Sequence, residues 1–157
     1  MVELFPSDPI VGYELALHQR DIGDAVGMEQ TLDRVLSLAP ITNVLIWKSR
    51  LVMWLRGDLA ECKRLLDRIT ESGQTYERAI FARWEYAMAA NQPEIGLNHL
   101  HSFTGTWMED FNYTGPKGML AAELLRLQGK NGVAALELEA ALAAIRHERA
   151  KTPANLG

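Results

Sequence analysis

Four histidines, one cysteine and twenty acidic residues are the raw material for chemistry in this chain, and their spacing organises little of it. His99 and His101 stand two apart, and on a helix that separation turns the rings about 200° from each other, unlike the i, i+4 pairs that grip a metal. Glu109 and Asp110 are adjacent carboxylates, whereas general acid–base work needs two groups converging on one substrate. Cys62 falls within a helical apolar pattern and reads as a small buried hydrophobe. The sequence identifies no Gly-rich phosphate loop, nucleophile elbow or Cys–His pairing. No catalytic residue, metal site or cofactor is therefore expected. The strongest pattern is aromatic: Trp47, Leu51 and Trp54, spaced i, i+4, i+7, share one helical stripe. Such a stripe either meets an apolar partner segment or packs into the core, and spacing alone allows both.

Composition narrows the partner. The 157 residues are 48% hydrophobic and 23% charged, which fits an ordinary globular domain or a short repeat array without disulfide or metal staples. A net charge of −4, with acids and bases interleaved, offers nucleic acid no basic stripe. The start, MVELFPSDPI, lacks the basic and long apolar regions of a signal peptide, and no apolar run is long enough to span a bilayer. With one lone cysteine, the expected location is the cytoplasm, and the Asn112-Tyr113-Thr114 sequon is an accident of sequence.

The elements that must position these residues are helices. Apolar residues recur at helical spacing almost throughout, and no β-branched alternating run is bounded by turns. Asp8-Pro9 is a helix start, Gly23-Asp24 and Gly57-Asp58 are turns that end one helix and cap the next, and Pro40 closes the first pair. Ser72-Gly73 is a further stop, and Asn91-Gln92-Pro93 and Gly129-Lys130-Asn131 are further turns. Eight helices in four hairpins result, in units of about 8–40, 43–73, 75–103 and 116–151 within a single domain. The markers Gly23, Gly57 and Asn91 are 34 residues apart at each step, and Gly129 follows 38 further on. Five residues after each marker stand Met28, Cys62, Gly96 and Ala134, mostly small side chains where paired helices approach. Four later come Leu32, Leu66, Leu100 and Leu138. A period of this kind means that each hairpin has an apolar face that only its neighbours can bury.

This spacing resembles the tetratricopeptide repeat (TPR) over about residues 8–151. The resemblance implies an all-α, right-handed α-α superhelix of four TPR-like hairpins. It departs from the family at mid-helix, where Ala16 and Ala122 are the expected small residues but Arg50 and Trp84 are not. The stretch from Thr106 to Asn155, with its Gly115-Pro116-Lys117, its Gly129 turn and a long last helix ending before Pro153, looks like the C-terminal TPR segment of large bacterial multidomain regulatory proteins. Those carry protein kinase, adenylate cyclase or DNA-binding domains elsewhere.

In that family the first helices of successive units line a concave groove. The resemblance implies groove positions at Tyr13 and Leu17, then Trp47, Lys48, Leu51 and Trp54, then Arg78, Phe81, Glu85 and Met88, and finally Met119 and Glu123. A carboxylate clamp is not expected, because Tyr13 and Leu17 stand where that pattern wants Lys and Asn. The irregular loop 104–118 carries Trp107, Phe111 and Tyr113, which either bind a partner or plug the space left by a short helix. The Glu/Arg-rich face of the last helix, with Glu137, Arg146, Glu148 and Arg149, reads as a solvated terminal cap. The expected function is a non-catalytic module that binds a protein or peptide through the groove or the loop. The alternatives are a structural module of a larger regulatory protein that self-associates as a homodimer, or a small-molecule binder or enzyme using the loop aromatics and Glu109/Asp110.

Overall fold

The computed structural model describes residues 8–70 and 76–151. The MVELFPS start, the Ser72-Gly73 stop and the closing Pro153 lie outside them. The described residues form eight helices: α1 (Pro9–Asp21), α2 (Ala25–Leu38), α3 (Thr42–Arg56), α4 (Leu59–Asp67), α5 (Glu77–Ala89), α6 (Pro93–Ser102), α7 (Lys117–Leu127) and α8 (Asn131–Lys151). Between α6 and α7 lie two short strands, β1 (Trp107–Glu109) and β2 (Thr114–Pro116). Contacts gather in two compact units, residues 1–82 and 83–157.

In the first unit α1 packs on α2, α2 on α3 and α3 on α4. Asp8 starts α1 by accepting from the Ile10 and Val11 amides, with Pro9 at the first helical position. Asp24 and Asp58 do the same for α2 and α4, accepting from Gly27 N at 2.9 Å and Glu61 N at 3.0 Å. The residue before each Asp has a left-handed backbone, Gly23 at φ 77° and Gly57 at φ 64°. Gly adopts this without a Cβ penalty, so the repeated Gly-Asp is a stop followed directly by a start. The first unit's core joins Ala16 of α1, Met28, Leu32 and Val35 of α2, and Val44, Trp47 and Leu51 of α3.

In the second unit α6 packs on α7 and α7 on α8. Its turns repeat the left-handed geometry at Asn91 (φ 52°) and Gly129 (φ 72°). The Gln92 and Lys130 amides close these turns onto the Ala87 and Leu125 carbonyls at 2.8 and 2.9 Å. The markers that punctuate the repeat are thus the four left-handed turn residues among the described residues. Met28, Cys62, Gly96 and Ala134, five positions on, are all buried. Leu32, Leu66 and Leu100 are buried as well, while Leu138 is half-buried.

Candidate partner-binding surface

The residues expected on the groove separate sharply. Trp47 and Leu51 belong to the core, with Trp47 only 3% exposed, and Phe81 is buried too. This corrects their reading as surface contacts. Trp47 and Leu51 join the core residues of α1 and α2, and Arg50 fills the mid-helix position where a small residue was expected. Its guanidinium lies 5.3 Å from the centre of the Trp47 ring and 5.6 Å from that of Phe81, while Arg20 approaches the Trp47 ring at 5.0 Å. Rings flanked by cations at these distances are held by the attraction of charge for the aromatic face, which strengthens as water is excluded. Arg50 itself is 1% exposed.

Lys48 is also corrected from groove to interior. Its ammonium is turned onto α2, donating to Glu29 and Asp33 at 2.8 Å each, and Arg56 reaches the same Glu29. The Lys48 hydrogen bond holds the Glu29 carboxyl below its ordinary value, against the opposing effect of burial. Tyr13 and Leu17 lie partly buried against the core cluster, and burial raises the Tyr13 hydroxyl pKa above its usual 10.0. Trp54, one turn beyond Leu51, leaves the core and is 51% exposed. Arg78 is half-buried with its guanidinium 5.9 Å from the Tyr76 ring centre. In the second unit Glu85 and Met88 are half-buried, and Met119 and Glu123 are exposed.

The loop 104–118 is built differently from its irregular reading: it is a β-hairpin. Trp107 pairs with Pro116, Met108 with Gly115 and Glu109 with Thr114. Asp110 and Tyr113 exchange backbone hydrogen bonds across the turn, and Asp110 Oδ1 accepts from the Asn112 amide at 3.0 Å. This closes a two-residue tip, Phe111-Asn112, by an Asx turn. Asp110 therefore shapes the turn, and Glu109 is exposed on β1. Strands of three residues are too short for an alternating pattern to register. The legible signals were the Asp and Asn at the turn, with aromatic residues on either side.

Alternation along the strands sorts the side chains. Met108 is fully buried and plugs the interior, a role that the sequence had offered to Trp107 and Phe111. Trp107 and Tyr113 are half-buried, and Phe111 at the tip is 45% exposed. The Tyr113 hydroxyl donates to the Pro116 carbonyl at 2.7 Å, and burial pushes its pKa up to about 12. Strand β2 rests on α7 and α8. Lys117 fixes the base, accepted at 2.6 Å by the Phe103 carbonyl, and its backbone amide donates to Thr106 at 2.9 Å. Beside this base lies a cleft of about 360 Å³ between Thr106, Pro116 and Lys117 on one side and Ala140, Ala144 and His147 of α8 on the other. Alanines line most of the α8 wall, so the cleft accepts apolar groups without displacing large side chains.

Among the described residues no group of three or more His, Cys, Asp or Glu is placed to hold a metal ion. No described helix is long and apolar enough to cross a membrane.

These features define an all-α protein of tetratricopeptide-like helix hairpins. No family model and no curated protein matches the sequence. The chain is similar in structure to a solved tetratricopeptide-like protein, "MamA RS-1 ArsTM double mutant", with a TM-score of 0.74 and 12% identity. The match covers 94% of this chain and 80% of that one. The likeness establishes the fold.

Proposed function

We propose that this chain is a non-catalytic module that binds an apolar segment of a protein partner at the hairpin between α6 and α7. The observation that carries the reading is Phe111, held on a two-residue tip and exposed, above a hairpin whose base opens onto an alanine-walled cleft. An aromatic ring on a short, hydrogen-bonded turn loses little conformational freedom when it meets a partner, which favours its use as an anchor. The groove stripe supports binding less well, because Trp47, Leu51 and Phe81 are spent on the interior and leave Trp54 as the exposed aromatic of the set.

Selection of a random peptide library on the full chain tests the proposal. Apolar peptides are expected to emerge and to lose about tenfold or more in affinity for Phe111→Ala and for Ala140→Glu, a change of about 1.4 kcal/mol. Trp54→Ala is expected to bind them as the wild type does. Peptides that bind Phe111→Ala and Ala140→Glu at full strength would overturn the hairpin site, and peptides lost only with Trp54→Ala would return the site to the α3 surface.

A further inference from the structure

The outer face of α8 is unlike a terminal cap. It carries Ala135, Leu136, Glu139, Leu142, Ala143, Arg146 and Ala150, all exposed, with Leu136 at 64% and Leu142 at 52%. The buried side of the helix rests on Ala134 and Ala141, which are displaced around the axis from this set. A final helix that met only water would place charge across this arc. Here two leucines and three alanines occupy it, with a single acid and a single base between them.

The two charges are arranged for self-recognition. Glu139 and Arg146 are seven residues apart, so they lie within about 20° of one another on the helix. In an antiparallel pair of α8 helices with the twofold axis between Leu142 and Ala143, Glu139 of each copy faces Arg146 of the other. The same operation brings Leu142 to the Leu142 of the other copy, Ala143 to its Ala143, and Ala135 to its Ala150. Each contact is then apolar against apolar or opposite in charge. A parallel pair in register would set Glu139 against Glu139 and Arg146 against Arg146, so the charges select the antiparallel arrangement. Neither residue forms an ion pair among the described residues of its own chain.

We infer that a second copy of this chain docks on the outer face of α8, as an antiparallel helix pair about a twofold axis at Leu142/Ala143. The interface is isologous, one patch meeting itself. A 21-residue helix is about 31 Å long. One face of it buries roughly 350 Å² per copy, below a standard interface, so the dimer is a weak, transient one. The inference does not depend on the hairpin site and meets it only at Ala143, on the rim of the cleft.

Sedimentation velocity on the full chain over a wide range of micromolar concentrations tests it. Wild type is expected to pass from monomer to dimer. Glu139→Arg and Arg146→Glu each replace two attractive pairs by two repulsive ones, and each alone should weaken association about tenfold or more. Mixed in equal amounts, the two variants regain complementary charges and should form a heterodimer. The double exchange Glu139→Arg/Arg146→Glu should restore the homodimer. Both surfaces are exposed, so circular dichroism of each variant should match wild type. A wild type that stays monomeric throughout overturns the inference, as do single variants that dimerise like wild type, or a mixture that fails to associate. Loss of peptide binding in Phe111→Ala with an unchanged dimer separates the fate of the hairpin site from this one.

Discussion

The aromatic residues of α3 and those of the 104–118 hairpin were equal candidates for a partner surface, and the fold treats them oppositely. On α3, a regular helix within the repeat, the stripe turns inward, and only its last member, Trp54, reaches water. On the hairpin, a departure from the repeat, a methionine takes the interior and the tip holds Phe111 outward. A repeating helix must bury its apolar stripe against its neighbours, whereas an inserted hairpin needs one plug and leaves its other side chains available.

The sharpest way to break this comparison is to remove the ring that it places inside. Trp47→Ala is expected to cost about 3–5 kcal/mol in urea or thermal unfolding, because it empties a large core site and strips the guanidinium of Arg50 of one ring. Trp54→Ala, on the same stripe, should stay within about 0.5 kcal/mol. Equal losses for both would mean that the stripe behaves as one surface.

Lys48→Met comes next, with an expected loss of about 2 kcal/mol at neutral pH, since it leaves Glu29 shielded with only Arg56. The depressed Glu29 pKa fixes the sign of its pH dependence. Its contribution is fully present above the unfolded value near 4.5 and is lost as pH falls through the lower folded value. Wild type should therefore lose more stability than Lys48→Met on acidification through that range. Parallel acid limbs in chemical denaturation would remove Lys48 as the cause.

Gly118→Ala addresses the hairpin's footing. A Cβ there would lie 2.7 Å from the Glu137 backbone carbonyl oxygen, which cannot rotate away as a side chain can. A loss of about 1–2 kcal/mol is expected, against none for Phe111→Ala at the tip. A neutral Gly118→Ala would show that the junction of α7 with α8 is looser than the close approach implies.

Much of the scaffold was legible because its residues answer local requirements. Gly23, Gly57, Asn91 and Gly129 sit where the backbone turns left-handed, Asp24 and Asp58 where amides need an acceptor, and Met28, Cys62, Gly96 and Ala134 where helices meet. The candidate site was less legible for two physical reasons. A stripe's spacing reports a shared face but not what covers it, and Trp47 is covered by core residues of α1 and α2 and by the guanidiniums of Arg20 and Arg50. Paired three-residue strands carry too few alternations to stand out against a helical background. Trp84 shows the same limit: standing where a small residue was expected, it donates its indole N–H to the Leu120 carbonyl at 3.1 Å and joins α5 to α7.

Arg50 has a consequence for how this sequence can change. A guanidinium between two rings makes Trp47, Arg50 and Phe81 one heritable unit, since an exchange at any of them devalues the other two. A small residue at position 50 would leave two rings around a void, whereas three coordinated replacements could refill the space. Drift along this lineage should therefore move positions 47, 50 and 81 together, leaving the hairpin tip free to vary with whatever it touches.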